Sequence, residues 1–477
     1  MPDGHVLILD QGGHSSRAVV FDEKGQVVAS AACSLNIENR SGGFVEQDPQ
    51  AIIRSLQNCL QQLQANLTEK QRGKIHKAGL IVQRSSFLAC EKKLMQPITP
   101  VISWQDTRNS QWLAQQNLDI AHLHQITGLR VNAHYGASKM RWLLEHDADV
   151  QKAAKENRLV FVPLSAYIAA ELTQAASYRV DPVIAQRTLL YDIQKQQWSD
   201  ELLQRFTIAR GQLPEVVSSD TLIGNITLGE ASIPLCLVGG DQSFLPLACG
   251  FAALAGSAFV NVGTGAFIQC LMPPHRVPQA LLSSSMAVTQ QQPLFVAEGT
   301  VNAAASALDW FWQSSGHNPG YEDLERLLEN TETEMVFINT LAGTGSPWWL
   351  PKQEPLFIGA GSWQQQCAAV VESVLFALVE NLQQLLQAGA AIEQLIISGG
   401  LAQSSAFCRK LAALAGLRVL RPEDHEASAR GAAMFLLNSA QSDLLQSADV
   451  FQPQNDTALQ QRFLTHSRTM WQLSESC

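Results

Sequence analysis

The chain has 477 residues, more than a single hydrophobic core commonly serves, so we expect two domains. Hydrophobic residues make up 46% and charged residues 16%, a balance typical of a folded globular protein. The net charge is −10 at pH 7, and the lysines and arginines are scattered. Nucleic acid is not expected as a partner, because binding a phosphate backbone needs clustered cations.

The nine cysteines are spaced singly along the chain and form no CxxC pair, which favours buried free thiols in a reducing compartment. The N-terminus has an acidic residue early and only a short apolar stretch, so no signal peptide is predicted. No apolar run approaches the length of a membrane span. These features predict a cytoplasmic protein without a membrane partner.

The opening of the chain predicts three strands, 5–10, 17–22 and 26–35, joined by tight turns into an antiparallel meander. The sequence FVEQDP then leads into apolar residues at helical spacing. Asp48 suits the N-cap of that helix and Pro49 its first position. Further apolar strands and helical stretches complete an α/β pattern.

Near residue 235 the pattern begins again. The segment 257–272 repeats the order of the opening: a strand, a polar residue, a glycine-rich turn and a second strand. A match this short arises easily by chance, but it agrees with the length expected for two similar domains. We therefore expect domains at 1–243 and 244–477, each with a sheet of mixed direction flanked by helices.

Three glycine-rich turns follow predicted strands. They lie at Gly12-Gly13, at Gly263-Thr264-Gly265 and at Gly399-Gly400. Backbone amides in such turns can hold phosphate, although ordinary strand-exit turns have the same composition. None of the three matches the P-loop pattern or the dinucleotide-binding fingerprint.

Two aspartates, Asp10 and Asp241, stand at the ends of predicted strands beside glycine turns. A carboxylate in this place can hold Mg2+ or accept a proton from an attacking hydroxyl, and capping a turn is its commoner role. Phosphoryl transfer needs positioning, a metal ion, one base and little else. The pattern therefore favours an ATP-dependent kinase.

These segments match a known family in order along nearly the whole chain. The segments are LILDQGGHSSRAVVFDEKGQVV, FVEQDP, VQRSS, SWQDTR, VGGDQ, NVGTGAF, EGTV, SGG and GAA. The sequence resembles the FGGY carbohydrate kinases, and among them the glycerol kinases most. The resemblance implies two actin-like (ribonuclease H-like) ATPase domains around a central cleft. Residues 1–243 would carry the substrate site and the first phosphate loop, and residues 244–477 would bind adenosine.

The resemblance also implies a role for each matched residue. Asp241 would be the general base, and Asp10 would help to hold Mg2+. ATP would be bound by Gly12, Gly13, Ser15, Arg17, Gly263, Thr264, Gly400 and Ser405. The acceptor would be bound by Arg84, Ser85, Trp104, His134, Gln242 and Phe267.

The chain departs from the family pattern at five of these places. Gly13 and His14 replace two threonines of the first phosphate loop, which removes two hydroxyl donors. Ser85 replaces a glutamate that would accept hydrogen bonds from glycerol, and His134 replaces a tyrosine. Ser405 stands where an asparagine is usual near the adenine. The acceptor surroundings are thus altered more than the catalytic centre.

The sequence predicts ATP-dependent phosphorylation of a hydroxyl group on a small polyol or sugar. One alternative is glycerol kinase proper, against which Ser85 argues. A second is a sensing protein on the same fold with weakened catalysis, against which the intact Asp10 and Asp241 argue. A third is an actin-like ATPase that couples nucleotide binding to a partner protein, which Arg84 and Trp104 disfavour. The family resemblance also leaves a homodimer open.

Overall fold

A computed structural model describes residues 4–289, 291, 293–317, 319–423, 426–439 and 442–476. The chain forms two compact units, each built from several segments. The first unit comprises Met1–Phe251, Ser284–Phe295 and Glu426–Ser442, and the second comprises Ala252–Ser283, Val296–His425 and Asp443–Cys477. The division expected after residue 243 treats each domain as one continuous stretch, whereas two later segments pack with the first unit.

The strands of the described residues are short to medium in length and are numbered in chain order. They are β1 (His5–Gln11), β2 (Ser15–Phe21), β3 (Val27–Ser34), β4 (Glu38–Arg40), β5 (Phe44–Gln47), β6 (Ile75–Val82), β7 (Phe87–Glu91), β8 (Gln96–Pro97), β9 (Val101–Ile102), β10 (Leu159–Pro163), β11 (Arg179–Val180), β12 (Tyr191–Asp192), β13 (Gln197–Trp198), β14 (Glu215–Val216), β15 (Gly224–Leu228), β16 (Ala231–Gly240), β17 (Ser257–Val262), β18 (Ala266–Leu271), β19 (Leu282–Val288), β20 (Pro293–Val301), β21 (Val336–Ile338), β22 (Leu356–Ile358), β23 (Gln394–Ser398), β24 (Arg418–Arg421) and β25 (Asp449–Phe451).

The helices alternate with these strands over most of the chain. They are α1 (Pro49–Asn66), α2 (Glu69–Arg72), α3 (Ser110–Gln115), α4 (Ile120–Thr127), α5 (Gly136–His146), α6 (Ala148–Lys155), α7 (Leu164–Thr173), α8 (Pro182–Gln186), α9 (Asp200–Phe206), α10 (Asp241–Phe244), α11 (Ala305–Ser315), α12 (Leu324–Asn330), α13 (Trp363–Gln387), α14 (Ser405–Ala415), α15 (Ala427–Leu437) and α16 (Thr457–Glu475). The capping predicted for the first helix is confirmed: the Asp48 side chain accepts a hydrogen bond from the backbone N–H of Gln50, and Pro49 is the first helical residue.

The main sheet of the first unit has the strand order β15-β16-β6-β1-β2-β3. The predicted meander is confirmed, because β1 pairs antiparallel with β2 and β2 with β3. The strands β1, β6 and β16 run parallel, and β15 returns antiparallel to β16. The register places Val82 of β6 beside both Gln11 of β1 and Gly240 of β16. These three parallel strands therefore end level at one edge of the sheet.

The main sheet of the second unit has the same plan. Its strands follow the order β20-β18-β17-β23-β24-β25, with β19 next to β20 at one end. Strand β18 is antiparallel to both of its neighbours, β20 and β17. The strands β17, β23 and β24 run parallel to one another, and β25 is antiparallel to β24. Across the sheet of the first unit, from β3 to β15, neighbouring strands pair as antiparallel, antiparallel, parallel, parallel and antiparallel. The same order of pairings is found from β20 to β25 in the second unit. The hairpin β17–β18 thus corresponds to β1–β2, as the repeated sequence pattern predicts.

A second, smaller sheet in the first unit carries several of the matched segments. Its order is β10-β7-β9-β5-β4, with β8 beside β7, and its pairings are antiparallel. Strand β5 ends at Gln47, β7 begins immediately after Ser86, and β9 ends two residues before Trp104. This sheet consequently brings parts of FVEQDP, VQRSS and SWQDTR close to one another.

Each unit has its own hydrophobic core. In the first unit, Leu7 and Leu9 of β1 belong to a buried cluster with Ile52 and Leu56 of α1. In the second, the cluster is centred on α13, the longest described helix. Over α13, an 18-residue window has a mean hydropathy of 1.3, enough for a membrane span by length and composition. Because 78% of that window is buried within the protein, we interpret α13 as a core helix.

The eight cysteines in the described part of the chain are free thiols. Six are buried, as expected, but Cys33 and Cys236 are only partly buried. Cys236 lies on β16 at a position where alternate residues are partly exposed, so its apolar neighbours in sequence face the other side of the strand. Cys477 lies outside the described residues.

Helix α15 packs directly on the segment that follows the predicted base. A Cβ atom on Gly431 would lie 1.9 Å from the carbonyl oxygen of Phe244, the residue that ends α10. The same helix reaches the sheet, because an added Cβ on Gly79 of β6 would lie 3.0 Å from Ile8 and 3.3 Å from Leu436. Glycine at 431 therefore permits an approach that no larger residue allows.

We predict that Gly431→Ala lowers the free energy of unfolding by about 1–3 kcal/mol, because α15 must move away from Phe244. This cost exceeds the gain of up to about 1 kcal/mol expected from better helix propensity. Chemical denaturation of the wild type and the variant measures the difference. Gly211→Ala is the matched control, since nothing lies within 4 Å of an added Cβ there. Equal stability of the two variants would contradict the packing argument.

Candidate active site

Three of the matched segments in the first unit lie next to one another, at the ends of β1, β6 and β16. Gly12 follows β1, Gln83 and Arg84 follow β6, and Asp241 follows β16. Because parallel strands in register point their carboxyl ends to the same edge, these segments are neighbours there. The sequence analysis identified the segments separately, and the strand register places them together.

The first glycine turn is closed by a backbone hydrogen bond from Gly12 N to Ser15 O, at 3.0 Å. The carbonyl of Gly13 is also held by a glutamine side chain, which is itself held by a second glutamine. The side chain of Gln47 donates to Gly13 O at 2.8 Å, and Gln83 donates to the Gln47 oxygen at 2.9 Å. These buried amides were not recognised as site residues from the sequence. They fix the turn without using its backbone N–H groups.

The two unusual residues of this turn have different surroundings. A Cβ on Gly13 would meet only ordinary contacts, at 3.6 Å to Gln83 and 3.8 Å to Ile37, and its φ is not positive. Packing and backbone conformation therefore do not require glycine there. The side chain of His14 is exposed, while its carbonyl accepts from Leu35 N at 2.8 Å.

The carboxyl groups of Asp10 and Asp241 lie close enough to interact electrostatically. Burial, followed by repulsion from Asp241, raises the pKa of Asp10 to about 7, and Arg17 partly opposes this rise. Burial also raises the pKa of Asp241, while Arg84 and a hydrogen bond from Gln242 N, 2.7 Å long, act against it. The edge of the sheet thus holds two acids whose ionised forms are disfavoured by burial and, for Asp10, also by its neighbour.

Arg17 forms an ion pair with a late segment of the chain. Its guanidinium lies 3.2 Å from a carboxylate oxygen of Glu426, the residue before α15. The Arg17 side chain keeps 42% of its surface exposed. An arginine that is both paired and exposed can exchange a carboxylate for a phosphate at modest cost.

Arg84 lies across the end of β16. A Cβ on Gly240 would lie 2.8 Å from Cγ of Arg84, so the glycine before Asp241 makes room for this side chain. The next residue, Ser85, has a φ of 69° and is 5% exposed. Among the described residues, the Ser85 hydroxyl has no hydrogen-bond partner. It is therefore a buried polar group that a ligand can satisfy.

Trp104 and His134 form one wall of the same region. Their rings are 5.0 Å apart in an edge-to-face arrangement, and both side chains are partly buried. The backbone N–H of Trp104 donates to the Ser86 hydroxyl at 3.0 Å, which joins this wall to the segment of Arg84. The fully buried Lys139 of α5, which was not identified from the sequence, contacts the backbone beneath both rings.

The second glycine turn, in the second unit, sits on the start of α11. Gly263 N donates to Gly265 O at 2.9 Å, and Gly263 O accepts from Ala305 N at 3.0 Å. Thr264 O accepts from the backbone N–H of Ala304 at 2.9 Å, and the Thr264 side chain is exposed. The helix N-terminus thereby fixes the turn through its carbonyls and leaves the threonine hydroxyl facing outwards.

The third turn lies beside the second, because β17 and β23 are parallel and Asn261 is level with Ser398. Gly399 has a φ of 100°, and a Cβ there would lie 2.5 Å from Val262 O, so glycine is required. An added Cβ on Gly400 would meet nothing within 4 Å. The surface at Gly400 is thus open.

The segment after Gly400 is held by an arginine that the sequence analysis missed. Arg421 donates to Ala402 O at 2.9 Å, to Gln403 O at 2.7 Å and to the Ser405 hydroxyl at 3.1 Å. At the start of α14, the Glu325 carboxylate accepts from Ala406 N. That carboxylate occupies the place of an anion at the helix N-terminus, so this end of α14 suits a neutral group better than a phosphate.

The remaining two predicted site residues fall on different units. Gln242 follows Asp241 on α10 in the first unit and is partly buried. Phe267 lies on β18 of the second unit, opposite Asn261 and Thr300, and is also partly buried. Within the described residues, no group of three or more His, Cys, Asp or Glu side chains could by itself hold a metal ion.

Comparison with known proteins identifies the family. The sequence profiles of the FGGY carbohydrate kinases match residues 5–247 for the N-terminal domain and 258–440 for the C-terminal domain. A glycerol kinase of Acinetobacter baylyi is 30% identical over 449 residues, which cover 90% of this chain and 89% of that protein.

Solved structures show the same fold. The glycerol kinase of Plasmodium falciparum with ADP has a TM-score of 0.84 at 19% identity and covers 99% of this chain and 98% of its own. A xylulose kinase from Rhodospirillum rubrum has a TM-score of 0.85 at 18% identity, with 99% and 98% coverage. The fold they share is the two-domain actin-like fold. The chain therefore belongs to the FGGY family of carbohydrate kinases, which use ATP to phosphorylate an alcohol group of a small polyol or sugar.

Proposed function

We propose that Asp241 is the general base of this kinase and that the acceptor is larger than glycerol. The observation that carries the first part is the pair of carboxyl groups, Asp10 and Asp241, at the level ends of parallel strands. The acceptor hydroxyl gives its proton to the Asp241 carboxylate as its oxygen bonds to the γ-phosphorus of ATP. The bond from that phosphorus to the bridging oxygen breaks, and ADP leaves with the electron pair.

The nucleotide contacts are divided between three turns. In the first unit, the turn at Gly12 and Gly13, the Ser15 hydroxyl and the guanidinium of Arg17 bind phosphate. In the second, Gly263 and the outward-facing Thr264 do the same, while Gly400 and Ser405 lie beside adenosine. The open surface at Gly400 and the carboxylate-capped start of α14 support a neutral adenosine there.

Mg2+ belongs to the same proposal, with Asp10 as the protein group that holds it. The donor set fits, because two desolvated carboxyl groups repel each other and Mg2+ commonly uses one or two carboxylates together with substrate phosphates. Bound there, Mg2+ would neutralise charge on the phosphates. The chain itself places Asp10 beside the phosphates and supplies Asp241 as the carboxylate that accepts the proton.

The acceptor site is formed by Arg84, Ser85, Trp104, His134, Gln242 and Phe267. Arg84 donates to acceptor hydroxyls, and the rings of Trp104 and His134 pack on its carbon chain. The buried, unpartnered hydroxyl of Ser85 supports an acceptor that reaches this point with a polar group. Serine in place of glutamate also leaves room for a longer acceptor of about four to seven carbons.

Two further parts of the proposal concern the cell and the assembly. The free cysteines of the described residues favour a cytoplasmic location, and membership of the family favours a homodimer. The functional division assigns the acceptor and the first phosphate loop to residues 1–243 and adenosine to 244–477. Light scattering of the purified protein tests the dimer.

Two alternatives have specific support. Glycerol kinase proper is favoured by the name of the relative from Acinetobacter baylyi. A sensing protein with weakened catalysis is favoured by Gly13 and His14, which lack the hydroxyl donors of the first phosphate loop. Against the second stands the retained set of Asp10, Asp241 and Thr264.

We predict that Asp241→Asn lowers kcat by about 10²- to 10⁴-fold while ATP binding stays nearly unchanged, because only proton acceptance is lost. Steady-state kinetics and calorimetry measure the two effects. Asp149→Asn, an exposed change at the start of α6, is the control and should keep wild-type activity. If Asp241→Asn kept more than about a tenth of the turnover, Asp241 would not be the base.

We also predict that, at low Mg2+, kcat/KM falls as the pH drops through about 7, because Asp10, whose pKa is raised to about 7, then gains a proton and no longer holds the metal ion. An isolated aspartate would give this fall near its ordinary pKa of 3.8. Saturating Mg2+ should move the acidic limb to lower pH, since a cation stabilises both ionised groups.

Calorimetry supplies the control for this prediction. ATP should bind more weakly in EDTA than in Mg2+, and Asp10→Ala should reduce that difference. Identical ATP binding with and without EDTA in both proteins would contradict the role of Asp10. An acidic limb near pH 4 at low Mg2+ would contradict the raised pKa of Asp10.

The last prediction concerns the acceptor: glycerol should not have the highest kcat/KM in a panel with erythritol, pentitols, pentuloses and heptuloses. Losing a charged hydrogen-bond acceptor costs about 1.5–3 kcal/mol, or roughly one to two powers of ten in kcat/KM for glycerol. Ser85→Glu should raise kcat/KM for glycerol relative to the larger acceptors, and Ser476→Glu, at an exposed serine, should not. If glycerol is the best acceptor of the wild type, the prediction is wrong.

A further inference from the structure

Lys139 is a lysine without exposed surface, on α5 in the first unit. Its amino group donates to two backbone carbonyls, Ser103 O and His134 O, each at 3.0 Å. Burial lowers the pKa of Lys139 to about 7, which shows how unfavourable a charge is there. Keeping an amine at such a place needs a structural reason, and its two partners supply one.

The two carbonyls belong to the two segments that form the aromatic wall. Ser103 directly precedes Trp104, and the second carbonyl is that of His134 itself. The rings of Trp104 and His134 are 5.0 Å apart. One amino group therefore joins the backbones of two loops at Ser103 and His134, which are 31 residues apart in sequence.

Other hydrogen bonds hold each loop to its own surroundings. Ser103 N donates to Val45 O at 2.9 Å, and Trp104 N donates to the Ser86 hydroxyl at 3.0 Å. His134 N donates to the side chain of Asn132 within its own loop, at 2.9 Å. Among these described contacts, Lys139 is the one that joins the two loops through their backbones.

A buried group of charges balances Lys139. The Asp106 carboxylate opposes the effect of burial on the pKa of Lys139, and Arg108 adds to it. Arg108 donates to Asp106 at 2.8 Å and to Glu46 at 2.6 Å, and Asp106 accepts from Val45 N at 2.8 Å. Glu46, Asp106 and Arg108 thus form a buried ion-pair cluster, and its Asp106 carboxylate lowers the cost of burying Lys139.

We propose that Lys139 is a positioning residue for the acceptor: by holding Ser103 and His134, it sets the separation of Trp104 and His134 and so the fit of the acceptor's carbon chain. This rests on the proposed function, in which Trp104 and His134 line the acceptor site. Lys139 itself touches neither the acceptor nor ATP. Its loss should act on acceptor binding alone.

The test is Lys139→Met, which keeps an unbranched side chain, one atom shorter, and removes its donors. We expect KM for the best acceptor of the panel to rise by about tenfold or more, because small misplacements of binding groups are costly, with KM for ATP unchanged. Lys139→Gln, which keeps an N–H donor on a shorter chain, should give an intermediate KM. It also serves as the folded variant if the methionine variant does not fold.

Lys410→Met is the matched control. Lys410 pairs at 3.0 Å with the buried Glu372 in the second unit, so its loss should lower the thermal midpoint without changing KM for the acceptor. The same behaviour in both Lys139 variants, a lower midpoint with an unchanged acceptor KM, would overturn the proposal. A parallel rise in the KM values for acceptor and ATP would also overturn it.

Trp104→Ala separates this proposal from the proposed function. If Trp104→Ala leaves the acceptor KM unchanged, the acceptor site itself is wrongly assigned. If Trp104→Ala raises KM but Lys139→Met does not, only the role of Lys139 fails. In the double variant Trp104→Ala, Lys139→Met, the two effects should be less than additive, because Lys139 acts through the wall that Trp104 forms. Full additivity would count against the proposal.

Discussion

The level ends of β1, β6 and β16 are the constraint on which the catalytic side of the first unit depends. Parallel pairing fixes their register, and the register decides that Asp10 and Asp241 share one edge of the sheet. The consequence is electrostatic. Burial raises the proton affinity of both carboxyl groups, Asp241 raises that of Asp10 further, and the neighbouring guanidinium groups only partly compensate. The fold thus creates an acid pair that is costly to ionise, which is the condition under which a bound cation has the greatest effect.

The acceptor side is built on a different principle. There the second sheet supplies short strands, and the loops between them are joined by side chains that bond to backbone atoms: Gln47 to the first glycine turn, Ser86 to Trp104 and Lys139 to two loops. Backbone positions in this region therefore depend on a few buried polar residues. These backbone contacts hold the loops in place whatever side chains face the acceptor. The residues at these positions can therefore vary, and Ser85 and His134 differ from the family pattern.

Local patterns in the sequence predicted the elements well. The three opening strands, the Asp48 cap and the repeated hairpin follow from apolar runs, turn residues and spacing within short windows. The family resemblance supplied the site residues, and the strand register brings Asp10, Arg84 and Asp241 to one edge. What could not be predicted depends on contacts between distant segments. The Gln47–Gln83 amide pair, the hold of Arg421 on Ser405 and the burial of Lys139 have no signature in their own neighbourhoods. The repeated pattern predicts one break after residue 243, and no local pattern in Glu426–Ser442 indicates that this segment packs with the first unit.

The position of α15 in the chain has a consequence for synthesis on the ribosome. This helix covers one face of the first unit's sheet, yet its last residue, Leu437, is made long after Phe251, where the first long segment of the unit ends. At typical rates of about 5–20 residues per second, roughly 10–40 s separate the two. During that interval Ile8 and its neighbours lack the helix that buries them. The nascent chain must therefore carry an uncovered apolar sheet face, the kind of surface on which chaperones act.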